Sequence, residues 1–133
     1  MEWLRISTST ELVRVATDEI VCVRADGNYS DLVLASGQNR KMTFQLHFFD
    51  EVFEQLHNNM FVRVGRSLIV NKRYIYVINL TEQLLILFGG TMKEPITFYG
   101  QPVLKQPRDI TLSRDGLRKL KEQLENEKGG DNG

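Results

Sequence analysis

The sequence predicts a mainly β fold of small antiparallel sheets, with one short helix set between strands and a second helix at the C-terminal end. Three observations predict it. Val-, Ile- and Thr-rich runs alternate with period two and are broken by turn residues, the apolar spacing changes once to three and four residues, and a leucine stripe follows a serine suited to capping.

Residues 4–23 are rich in Ile, Val, Thr and Leu, and Leu12, Arg14 and Ala16 alternate with Val13 and Val15 as in half-buried strands. Thr17, Asp18 and Glu19 form a polar break before the apolar run of residues 20–23. Ala25, Asp26, Gly27 and Asn28 then supply a hairpin turn into a strand over 29–35, since Gly and Asn tolerate the positive φ of tight turns. Ser36, Gly37, Gln38 and Asn39 make a second turn, and residues 40–44 read as another short strand. The period changes at Leu46, Phe49, Val52, Phe53 and Leu56, which define an amphipathic helix over 46–56 closed by Asn58 and Asn59. β-type composition returns at 61–64, 68–70, 74–80 and 84–88, the last a continuous apolar run of the kind found in buried strands. Gly89 and Gly90 stop it. Residues 91–108 hold Pro95, Pro102 and Pro107 around a strand-like piece at 96–99, which predicts a hairpin-like excursion or a long loop. Ser113 caps a helix in which Leu117, Leu120 and Leu124 form one stripe, with Arg118, Lys119 and Lys121 outside it. The expected organisation is one domain over 1–128 and a disordered tail over 129–133.

The chain has 133 residues, 41% hydrophobic, enough for a single core. Lys plus Arg number 17 and Asp plus Glu number 17, so any affinity for nucleic acid must come from local patches. Cys22 is the one cysteine and cannot form an internal disulfide. No apolar run approaches the roughly 20 residues of a membrane-spanning helix, and Met1, Glu2, Trp3, Leu4 and Arg5 lack the form of a signal peptide. The expectation is a reduced, cytoplasmic protein with no membrane partner.

Residues 61–71, with Phe61, Arg63, Gly65, Arg66, Ser67, Val70 and Asn71, resemble the central signature of the LytTR DNA-binding family. In that signature a phenylalanine, an arginine, a His-Arg-Ser triplet and a Val-Asn pair recur in this order, and all but the histidine match. Residues 20–34, with Gly27, Asn28, Tyr29 and Ser30, look like the family's first hairpin, and Leu112, Ser113 and Arg114 resemble its closing Val-Ser-Arg element. The resemblance implies a bacterial transcription regulator whose loops, rather than a recognition helix, enter the major groove of double-stranded DNA. It also implies two copies on paired direct-repeat half-sites, with a homodimer that forms on DNA. Family members usually carry a receiver or membrane sensor, whereas here folded pattern begins within the first residues, so neither is expected.

Carried over position by position, the resemblance makes Asn28 and Tyr29, then Arg66, then Arg114 the base-contacting candidates. Gly65 stands where the family has histidine, which removes one side chain from the contacting loop. Residues 89–108 separate the last strand from the Ser-Arg element by more than the usual span and, with the C-terminal helix, are candidates for a protein contact surface. Arg66 suits base readout because a guanidinium donates two parallel bonds to guanine O6 and N7; by residue type alone it is an exposed arginine in a strand connection. Arg63 either supports the fold or neutralises a phosphate, and Lys72 and Arg73 are assigned to phosphate. Asn71 either orders a turn through its amide or contacts a base. Arg114 begins a capped helix, where it reads a base, anchors the backbone or is simply solvated. Tyr29 stacks on DNA or packs across its hairpin.

No enzyme, cofactor or small-molecule substrate is expected. His47 and His57 lack partners at metal-ligand spacing, Cys22 lies in a buried-looking strand, and neither glycine pair has a phosphate-cradling context. The rival expectation is a β-rich protein-interaction module that kept the fold and lost DNA binding, motivated by the zero net charge and by Gly65.

Overall fold

The computed structural model describes residues 1–100 and 112–127. Strands β1 (Trp3–Ser7) and β2 (Leu12–Ala16) form a hairpin, and a 3₁₀ turn at Thr17–Glu19 makes the polar break before β3. Next come β3 (Ile20–Asp26), β4 (Tyr29–Leu34), β5 (Asn39–Met42) and helix α1 (Leu46–Glu54). They are followed by β6 (Phe61–Val64), β7 (Leu68–Asn71), a 3₁₀ turn at Lys72–Tyr74, β8 (Ile75–Asn79), β9 (Leu84–Leu87), β10 (Ile96–Tyr99) and helix α2 (Arg114–Glu125). The architecture is mainly β, as the sequence predicts.

The strands make three antiparallel sheets: β1-β2, a central β5-β4-β3-β7-β6, and β10-β9-β8. Residues along the central strands alternate between two cores, as period-two geometry requires. Ile20, Val23, Leu32 and Ile69 face one core with Leu4 and Ile6 of β1 and with Leu46, Phe49 and Phe53 of α1. Val21, Cys22, Val33, Leu68 and Val70 face the other, with Leu85, Leu87, Phe98, Leu117 and Leu120. A bulge between Ile20 and Cys22 shifts the register of β3 against β4. The central sheet is therefore covered on both sides. Each fully buried Leu, Ile or Phe contributes about 1.5–3 kcal/mol by leaving water.

In α1 the apolar spacing buries Leu46, Phe49 and Phe53. A run of aromatic contacts extends through it: Phe44 stacks on Phe48 at 4.1 Å, Phe49 meets Phe53 at 6.1 Å, and Phe53 stacks on Phe61 of β6 at 3.9 Å. The helix closes at Glu54, two residues before the expected end, because the Gln55 and Leu56 N–H groups turn back to Val52 and Phe53 in a tighter turn. Glu2 then ties the N-terminal segment to this corner. Its carboxylate accepts from the His57 N–H, the Asn58 N–H and the Asn58 side-chain amide, each at 2.7 Å.

Two details differ from expectation. Strand β3 runs on to Asp26, leaving only Gly27 and Asn28 as the turn. The apolar run of β9 buries only Leu85 and Leu87, because its sheet is covered on one side; Leu84 and Ile86 are half-buried and Phe88 is exposed. Of the proline-containing excursion, β10 pairs with β9, whereas residues 101–108 and the tail at 129–133 lie outside the described residues. No helix of the described residues is long and apolar enough to cross a membrane.

Candidate nucleic-acid interface

Three connections meet at one end of the central sheet. The β3–β4 turn is two residues long, with Asp26 paired to Tyr29, and Gly27 takes φ 61° at the first turn position, where a II′ hairpin requires glycine. The β6–β7 connection, Gly65, Arg66 and Ser67, joins the paired residues Val64 and Leu68, and Gly65 takes φ 66°. Because β3 and β7 are antiparallel neighbours, with Arg24 opposite Leu68, the two turns emerge side by side. The Ala25 N–H donates to the Ser67 carbonyl at 2.9 Å and locks them together. The β5–α1 connection joins the same end, since Gln45 Nε2 donates to Asn28 Oδ1 at 3.1 Å and Ser30 Oγ donates to the Phe44 carbonyl at 2.8 Å.

Arg66 is exposed and pairs with no acidic group of the described residues. Asn28, on the β3–β4 turn, is exposed, and its amide oxygen accepts from Gln45. Tyr29 begins β4, 47% exposed, with the Lys41 ammonium 6.0 Å from its ring centre. Lys41 adds little free charge, because its amine sits 2.6 Å from Asp26 and 3.0 Å from Asp31. The hydrogen bonds to Asp26 and then Asp31 raise its pKa above the ordinary 10.5. Arg24 likewise pairs with Asp31 at 3.6 Å. Among the described residues, Arg66 is thus a cation without an acidic partner at this end.

Arg63 points its chemistry inward. Its guanidinium donates to the Gly65 carbonyl at 3.0 Å and the Arg66 carbonyl at 2.9 Å, and pairs with Asp50 of α1.

Asn71, Lys72 and Arg73 stand at the other end of β7, about 10 Å away at the rise of an extended strand. Asn71 is fully buried: its amide donates to the Ile20 carbonyl at 2.9 Å and the Thr17 carbonyl at 3.3 Å and accepts from the Arg73 N–H at 3.0 Å. Of its two expected roles, the turn-ordering one matches this geometry, and a base contact does not. Lys72 gives its amine to Glu127 beyond α2 at 2.6 Å. Arg73 is half exposed, 3.7 Å from Asp18 and lying over the Tyr74 ring. All three lie at the opposite end of β7 from the turn that carries Arg66.

Arg114 opens α2 and is exposed, with no acidic partner among the described residues. Ser113 caps the helix as expected, its Oγ accepting from the Gly116 N–H at 2.9 Å. Leu112 before it is buried, and its carbonyl accepts from Gln83 Nε2 at 2.9 Å, so Arg114 is held by the β8–β9 turn. No hydrogen bond among the described residues joins it to the loops of Asn28 and Arg66. Sequence reasoning missed Gln45 and Asp50. Gln45 sits at the start of a helix without capping it, and only the strand order brings it to Asn28.

The profile of the LytTr DNA-binding domain matches residues 10–106. A solved structure, the LytTr DNA-binding domain of a putative methyl-accepting/DNA response regulator from Bacillus cereus, shares the fold with a TM-score of 0.58 at 16% identity, covering 93% of this chain and 97% of that one. No curated protein matches.

Proposed function

The chain belongs to the LytTR family of DNA-binding domains, and from that premise we propose that it is a sequence-specific, cytoplasmic transcription regulator of a bacterium that reads the major groove through the end of its central sheet. The observation that carries this reading is Arg66, an exposed guanidinium without an acidic partner among the described residues, on a turn fixed from both sides. Such a group can donate two parallel bonds to one guanine, worth about 1–3 kcal/mol of discrimination. Asn28 and Tyr29, on the turn locked to it, are the neighbouring contacts. Arg114, at the capped start of α2, supplies a separate contact to phosphate or base, where helix N–H groups already favour an anion. Two copies occupy a repeated half-site and dimerise on it.

Zero formal net charge makes this a protein that depends on local cations rather than on a basic surface. Affinity should therefore be modest and salt-sensitive, and specificity should rest on few side chains. Selection of bound duplexes from a random library at two salt concentrations tests the reading. Enrichment of a repeated half-site that fades at high salt, and its loss in Arg66→Ala, is the expected result. No enrichment at either salt would overturn it.

A further inference from the structure

The side chain beneath the reading turn has an unusual set of partners. Arg63 lies on β6, two residues before the turn, and its fork spans three acceptors: the carbonyls of Gly65 and Arg66 and the carboxylate of Asp50. Two of the three acceptors are main-chain atoms of the turn itself. Asp50 in turn belongs to α1, between Phe49, fully buried, and Phe53, which is buried and stacked on Phe61 of β6. The carboxylate is thus mounted on a helix packed into the core, and through Arg63 it holds the two peptide carbonyls that flank the Cα of Arg66.

We infer that Asp50 and Arg63 are positioning residues for base readout, setting the direction in which Arg66 leaves the turn, and that neither contacts DNA. This rests on the DNA-binding reading above. Both side chains of the pair are about one-third exposed, 36% and 35%, so the ion pair itself contributes little to global stability. Its geometry acts instead on the two peptides that meet at Arg66. A three-residue connection opening on glycine has many accessible backbone states, and a bidentate reader loses selectivity when its root wanders. The planar arginine fork suits the task, because one lysine amine cannot span two carbonyls and a carboxylate in fixed geometry.

The test uses the intact chain and compares wild type, Asp50→Asn, Asp50→Glu, Arg63→Lys and Arg66→Ala. Three quantities are read: the ratio of affinities for a selected duplex and a scrambled one, amide hydrogen exchange at residues 65–67 without DNA, and the melting temperature. Asp50→Asn and Arg63→Lys should each lower the ratio by about tenfold, the scale of one bidentate base contact. Exchange in the turn should rise in both, and Asp50→Glu, which keeps the carboxylate, should retain most of the selectivity. A phosphate contact by Arg63 predicts the opposite pattern. Arg63→Lys would keep the ratio, and Asp50→Asn, by removing a negative charge near DNA, would tighten binding to both duplexes; either result overturns the inference. So does a loss of selectivity that follows a general fall in melting temperature. If Arg66→Ala keeps its selectivity, or wild type has none, the DNA-reading assignment of Arg66 falls first and this inference with it. If Arg66→Ala loses selectivity while the other variants keep it, the inference alone falls.

Discussion

The main-chain N–H of Ala25 donates to the carbonyl oxygen of Ser67 at 2.9 Å, so the last stretch of β3 and the β6–β7 turn are held as one unit. This bond continues the β3–β7 ladder one step past Arg24 and Leu68, into the turn that carries Arg66. Displacements of the β6–β7 turn are therefore coupled to the end of β3 and the turn that follows it.

Gly65 is fixed in the left-handed region at φ 66°, yet nothing lies within 4 Å of where a Cβ would stand. Gly65→His, which installs the residue the family signature has here, should cost about 1 kcal/mol of stability from backbone strain alone. Gly65→Asn should cost less, because Asn tolerates that conformation. Urea unfolding of the three proteins checks the order. Equal or greater stability of the histidine variant would show that the turn relaxes to another geometry.

Asn71→Ala removes a fully buried amide that bonds the Ile20 and Thr17 carbonyls and the Arg73 N–H. Leaving those groups unpartnered should cost about 2 kcal/mol. The set of DNA sequences selected should not change, because the amide is spent inside the fold. A changed sequence preference with unchanged stability would restore Asn71 to the DNA surface.

The pH dependence of stability should carry a signature of Glu2. The hydrogen bond from the His57 N–H, assisted by those from Asn58, holds its carboxyl below the ordinary 4.5 despite opposition from partial desolvation. A depressed folded-state pKa contributes stability above the unfolded value and loses it as pH falls through the folded one. The melting temperature of Glu2→Gln should therefore lie below wild type at neutral pH and converge on it in acid. A gap that persists in acid would mean that the carboxylate's charge is not what holds the N-terminal segment.

Cys22 is fully buried in β3, and burial pushes its thiol up to about 12. The native protein should resist thiol reagents near pH 8 and react fully once unfolded, since the thiolate is the reactive form. Mass spectrometry after brief alkylation, with and without urea, makes the comparison. Rapid native labelling would mean that the central sheet opens readily.

Much of the fold is legible because period-two alternation and the one change to helical spacing are local signals. The strands at Phe61–Val64 and Ile96–Tyr99 and the Ser113 cap need only their own neighbours to be recognised. The site is legible in part. Gly27 marks a turn by conformational need, and Arg66 stands out through the signature around it, whereas the positive φ of Gly65 emerges only from the structure. What the sequence hides is partnership: Lys72 goes to Glu127, 55 positions away, and Arg63 to Asp50 on a helix. Charge and exposure say nothing of these carboxylate partners, which only tertiary packing brings to the two cations.

Strand β3 pairs with β7 through Cys22 and Val70, far apart in sequence, whereas the β3–β4 and β6–β7 turns each lie within a local hairpin. Closing so long a stretch costs more chain entropy than closing a hairpin, so the hairpins are expected to form early and their junction late. The end of the central sheet that joins the two turns is then among the last parts of the molecule to be assembled. Under the proposed function, recovery of DNA binding during refolding would lag hairpin formation, and a nascent chain still lacking β7 would not bind.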